Sequence, residues 1–113
     1  MPGMSTTLLE AIAEAFTWME SRNLRVGRIW LNPVEINTLY RCEELDKISS
    51  ARVVELLRKE VGAKIVGLLW NVQVFESDIV PVEHIAMTPE GFLGSLLDPI
   101  ACMPLLFGKR QSE

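Results

Sequence analysis

The sequence predicts an α+β domain, a small mixed β-sheet flanked by about three helices. Three observations lead there. Apolar residues recur at helical spacing through the first twenty positions. Two later segments open on helix-capping residues. The stretch 63–87 is rich in β-branched and aromatic residues, which suit a pleated, partly buried surface. With 113 residues and 49% hydrophobic content, the chain has enough apolar material for a single core, and disorder is not expected. The expected organisation is one domain over 1–113, with a flexible N-terminus at 1–6, a core over 7–91 and an apolar extension over 92–113.

The first helix is expected to begin near Thr7, because Thr7-Leu8-Leu9-Glu10 has the form of a capping box. Leu8, Ile12, Ala15 and Met19 then share one face, with Leu9 and Phe16 beside them, and that face should be buried. Glu10, Glu14 and Thr17 lie opposite. Trp18 falls at the boundary and is read as a cover for the core edge. After Ser21-Arg22-Asn23 the residues Arg28-Ile29-Trp30-Leu31 read as a short strand. Asn32 then caps a second helix, Pro33 suits its first position, and Glu35 favours the positive end of the helix dipole. Val34, Ile36, Leu39 and Tyr40 form its apolar side, and it should run to about Cys42. The charged segment Glu43-Glu44-Leu45-Asp46-Lys47 reads as a solvated loop.

Ser49 or Ser50 can cap a third helix reaching Val61, with Val53, Val54, Leu57 and Val61 on one face and a Glu55–Lys59 pair on the other. Gly62 closes it in the left-handed conformation. Two strands joined by a polar turn follow. In the first, from Trp70 to Ser77, Val72 and Val74 share one face while Gln73 and Phe75 share the other, so both faces are expected to be at least partly covered. Ser77-Asp78 ends it, Pro81 keeps Val80 extended, and the second runs over about 82–87. Gly67 and Asn71 bracket Leu68-Leu69-Trp70. A bend or bulge is expected on each side of that apolar knot, and the knot itself in the core. Beyond Met87, Thr88-Pro89-Glu90-Gly91 is a turn signal. Gly94, Asp98, Pro99 and Pro104 prevent a regular helix from crossing the apolar segment after it.

Composition narrows the function. The net charge is −4, and no basic run exceeds Lys109-Arg110, so a nucleic-acid partner is not expected. Cys42 and Cys102 have no metal-ligand spacing, His84 is the sole histidine, and no metal or cofactor is expected. The two thiols are expected to be free, in a cytoplasmic setting. No apolar run reaches the roughly 18–20 residues of a membrane span. No phosphate-binding glycine loop, dinucleotide fingerprint or nucleophile elbow occurs. Glu83-His84 is the sole acid–imidazole neighbour pair, and neighbours on a strand point to opposite faces, so no catalytic dyad is expected. Cys42, expected at the end of a helix rather than at a positive N-terminus, is read as an inert thiol. Glu43, Glu44 and Asp46 lack the spacing of a calcium loop. No catalytic residue is assigned.

The order of motifs is informative as a series: Trp30-Leu31-Asn32-Pro33 before a helix, then Gly67-Leu68-Leu69-Trp70, Val72, Val74, Ser77-Asp78 and Val80-Pro81. Over roughly 7–87 it resembles the axial domain of major capsid proteins of the tailed-phage type, a fold shared with encapsulin nanocompartments. Where that family often has glycine after the tryptophan and again two residues after the proline, this chain has Asn71 and Glu83. Asn71 keeps a residue that tolerates positive φ; Glu83 does not fit the pattern. The arm, spine helix and extended loop of a full capsid subunit have no counterpart in the sequence. The resemblance implies a non-catalytic structural or assembly protein of phage or proviral origin, located in the cytoplasm or the virion. Its partner would be a second copy or a related capsid-like subunit. Phe92, Leu93, Leu96, Leu97, Ile100, Met103, Leu105, Leu106 and Phe107 form the candidate interface, being too many apolar side chains to leave exposed on a small monomer. They could instead fold back over the chain's own sheet, on the face carrying Phe75. The other functional reading is a small binding module or enzyme subunit whose site a partner chain completes.

Overall fold

The computed structural model describes residues 2–90 and 101–105. Three helices, α1 (Pro2–Glu20), α2 (Pro33–Leu39) and α3 (Ala51–Val61), surround a mixed sheet of six strands. These are β1 (Val26–Leu31), β2 (Leu45–Lys47), β3 (Lys64–Leu69), β4 (Val72–Glu76), β5 (His84–Pro89) and β6 (Ala101–Pro104). The strand order is β2-β3-β4-β1-β5-β6. Only the central pair, β1 with β4, is parallel. Every other neighbouring pair is antiparallel. The α+β class and the small mixed sheet read from the sequence are those of the structure.

Strand alternation divides the core into two layers. On one side of the sheet, Ile29, Leu31, Leu69, Val72, Val74, Ile85 and Met87 meet the expected face of α1 (Leu8, Ile12, Ala15, Met19) and the buried side of α2, Ile36 and Leu39. On the other side, Trp30, Ile65, Phe75, Val80 and Ala86 meet Val61, with Val54 and Leu57 of α3 packed against them. Trp30 and Phe75 are register partners across the parallel pair, and their rings stack at 5.7 Å with planes 24° apart. The expected division of β4, Val72 and Val74 inward on one face and Phe75 on the other, is observed.

The caps explain where α2 and α3 begin. Asn32 Oδ1 accepts the Val34 N–H at 2.9 Å with Pro33 at the first helical position. Ser50 Oγ accepts the Val53 N–H at 3.3 Å, and Gly62, at φ 85°, closes α3 in the left-handed region. α1 extends N-terminal of Thr7 to Pro2, so the Thr7-x-x-Glu10 box lies inside the helix rather than at its start. α2 stops at Leu39, short of Cys42, and its Val34 is exposed. In α3, Val53 is exposed rather than part of the buried face.

Three differences from the sequence reading concern strands. Glu43-Glu44-Leu45-Asp46-Lys47 is not wholly a loop: 45–47 form the edge strand β2, with Leu45 buried and Asp46 and Lys47 in solvent. Leu68-Leu69-Trp70, read as an apolar knot, is split: Leu68 and Leu69 end a full strand, β3 (Lys64–Leu69). It forms a hairpin with β4 through Trp70 and Asn71, whose φ values of 51° and 68° are both positive, as a two-residue turn of the favoured primed kind requires. Leu69 is core, Leu68 is half-buried, and Trp70 is 44% exposed with its ring edge-on to Phe16 at 5.7 Å. The bulge expected at Gly67 is present, and the glycine has a further role. Beside the bulge between Ile65 and Gly67, a Cβ on Gly67 would stand 2.5 Å from the Asp46 carbonyl oxygen, so the glycine lets β2 approach. Finally, β4 and β5 do not pair with each other; β1 lies between them.

Candidate functional site

The residues that stand out chemically gather at one end of the sheet, where β1 and β4 finish side by side and β5 begins. Parallel neighbours place their C-terminal ends together, so the chain leaving β1 into α2 and the chain leaving β4 into the 77–83 loop must pass each other there. Backbone and side-chain bonds join them. The Ser77 N–H donates to the Leu31 carbonyl at 3.0 Å, and Asn32 Nδ2 donates to the Val80 carbonyl at 2.9 Å. Asn32 therefore caps α2 with one atom of its amide and ties down the loop with the other. Val80, 2% exposed, is held in the Trp30–Phe75 layer. Ser77 Oγ accepts the Ile79 N–H at 3.2 Å, shaping the start of the loop.

Glu83 closes the loop at φ 64°, a region that costs a non-glycine residue roughly 1–2 kcal/mol. Neighbouring bonds hold it there. The Leu105 N–H donates to the Glu83 carbonyl at 2.8 Å, and the His84 N–H donates to the Pro81 carbonyl at 3.2 Å. His84 Nδ1 lies 3.0 Å from the Val82 carbonyl, so a proton on that nitrogen completes a further bond.

Beneath this loop lies Glu35, in the first turn of α2, 5% exposed. One carboxyl oxygen, Oε1, is buried and has no hydrogen-bond partner among the described residues. Burial raises the pKa of the Glu35 carboxyl above the ordinary carboxylate range. The backbone N–H groups of Glu83 and of Glu35 itself pull it back down, the Glu83 carboxylate pushes it up, and His84 when charged lowers it. The sequence reading placed Glu35 as a dipole-complementing residue and assigned His84 no catalytic role. It did not bring the two together, because 48 positions separate the segments and only the parallel pairing of β1 with β4 makes them neighbours. One signal was present in the sequence: a non-glycine residue at the position where the pattern carries glycine.

The candidate interface residues fall differently. Phe92, Leu93, Leu96, Leu97, Ile100, Leu106 and Phe107 lie outside the described residues. Met103, in edge strand β6, packs against the α1-side core, and Leu105 is 5% exposed within it. These two thus cover the chain's own sheet on the face opposite Phe75. The described surface carries other apolar side chains: Val34, Ile79 and Val82 around the loop end, 52%, 67% and 49% exposed, and Leu56 on α3.

Among the described residues no three His, Cys, Asp or Glu side chains assemble as a metal site, and no helix is long and apolar enough to cross a membrane. Cys42 is buried and Cys102 is exposed, and neither forms a disulfide among the described residues. The chain matches no known family model, no curated protein and no solved structure.

Proposed function

We propose that this chain is a non-catalytic structural or assembly domain, of the kind that forms the axial domain of phage-type capsid proteins and encapsulins. It acts by associating with copies of itself or with a related capsid-like subunit, in the cytoplasm or in a virion. One observation carries the reading. The two positions at which that family often places glycine are occupied here by Asn71 and Glu83, and both adopt positive φ, 68° and 64°. A glycine pattern in a family encodes a backbone conformation, and this chain keeps the conformation at both places without the residue. In further support, Leu31-Asn32 and Ser77-Val80, from two separate motifs of the resemblance, are bonded directly to each other.

The test is the solution mass by light scattering across a dilution series, on the full chain and on an Ile79→Lys, Val82→Lys variant. A discrete multimer that the double variant dissociates is the expected result. A monomer at every concentration, alone and with capsid-like subunits added, would remove the assembly reading.

A second reading, a binding module or enzyme subunit completed by a partner chain, is favoured by the buried Glu35 oxygen near His84, which has no partner among the described residues. A buried polar atom without a partner is uncommon enough to ask what it serves.

A further inference from the structure

The 77–83 loop is fastened at several points, yet the group it covers is one that burial penalises when charged. Asn32 Nδ2 holds the Val80 carbonyl and the Leu105 N–H holds that of Glu83, while Glu83 stays at positive φ. Under the loop, Glu35 is 5% exposed, and its Oε1 has no partner among the described residues. We infer that this loop is a proton-controlled latch: Glu35 as the neutral acid lets it close over the first turn of α2, and Glu35 as the carboxylate loosens it.

The energetics follow from what the open loop changes. When the loop lifts, Glu35 reaches water and recovers ordinary carboxyl behaviour; when it closes, the carboxylate loses hydration and only part of that loss is returned by the Glu83 and Glu35 N–H groups. Among the described residues, the charged groups acting on Glu35 are Glu83 and His84, both from the junction of the loop with β5. Glu83 adds to the penalty, and a charged His84 reduces it. The raised pKa of Glu35 gives the sign. The closed loop binds the proton more tightly than the open one, so closure is strongest below the ordinary carboxyl range. It weakens as pH climbs toward the raised value and is constant above that. Glu83 works in the same sense, because its left-handed backbone conformation favours opening whatever the pH.

The test is amide hydrogen exchange on the full chain by NMR, corrected for the intrinsic pH dependence of exchange. The Ser77 and His84 amides, both bonded at the latch, report on it, and amides at the centre of β1 and β4 serve as reference. Protection at Ser77 and His84 is expected to fall as pH rises, by up to about tenfold per pH unit within the window, while the reference amides hold. Glu35→Gln should flatten the dependence, and His84→Gln should keep it. The inference is overturned if wild-type protection at the latch does not change with pH, if Glu35→Gln retains the change, if His84→Gln abolishes it, or if the loss spreads evenly over β1 and β4. Should Glu35→Gln fail to fold, an NMR titration of the wild-type Glu35 carboxyl decides: an ordinary value overturns the latch, a raised one supports it.

Discussion

The two faces of the sheet are built on different principles. The buried centre of the α1–α2 face is built almost wholly of aliphatic side chains, from two helices and five strands, with Ile12, Met19, Ile29, Leu31 and Leu39 at zero exposure and Phe16, Trp18 and Tyr40 packed at its edge. The α3 face is a smaller layer around two stacked rings, fastened at its margin by polar contacts. There Arg28, on β1, donates from Nε to Gln73 Oε1 at 2.9 Å and pairs with Glu60 of α3 at 2.9 Å. Trp30 Nε1 and Thr88 Oγ1, which the strand register puts on that side with Arg28 and Ala86, are buried without a partner among the described residues. A dry aliphatic layer is tolerant because many contacts share the load. A layer centred on one aromatic pair depends on that pair.

Breaking the pair is therefore the largest effect expected. Phe75→Ala should cost about 3–5 kcal/mol, read as a lower denaturant midpoint with the slope unchanged. The corresponding truncation on the other face, Ile12→Ala, should cost about 2–5 kcal/mol and fall below Phe75→Ala, since neighbours on α1 and β1 can close in. Next in size is the β2 edge. Gly67→Ala sets a methyl against the Asp46 carbonyl, so β2 must move away from β3, at a cost of about 1–3 kcal/mol, with loss of protection of the β2–β3 amides.

Capping residues sharpen the comparison at a smaller scale. Ser50→Ala removes one bond, to the Val53 N–H, and should cost about 1 kcal/mol. Asn32→Ala also removes the bond to Val80 and should cost more than Ser50→Ala in the same denaturation experiment. The smallest effect is expected at Glu60→Gln. That side chain is 62% exposed, and surface pairs contribute about 0–1 kcal/mol, so a midpoint shift of this size should fade in high salt.

The helices and the facing of β4 were legible from local signals. Asn32-Pro33, Ser50 and Gly62 each act within a few residues of themselves, so their consequences can be read without the fold. The heptad-like face of α1 was legible for the same reason. What was not legible depended on distant partners. β2 carries Glu43, Glu44, Asp46 and Lys47 in or beside it, a loop-like composition that an edge strand can hold because one side faces solvent. Nothing local announces that β1 inserts between β4 and β5, since each of the three is an ordinary half-apolar run. Glu35 was visible as a helix-start acid, but its burial is created by the loop that crosses it from 48 residues away.

That insertion of β1 has a consequence for how the chain must come together. Both neighbours of β1 are encoded after it, so the first strand made is among the last to be satisfied. Its partner Gln73 stands 45 residues downstream of Arg28, and β5 is later still. The β3–β4 hairpin can form from its own turn, with little loop-closure entropy to overcome. β1 cannot. A nascent chain that has not yet reached His84 therefore presents Ile29-Trp30-Leu31 with an open strand edge, and this is the stage at which the protein is most exposed to pairing with the wrong neighbour.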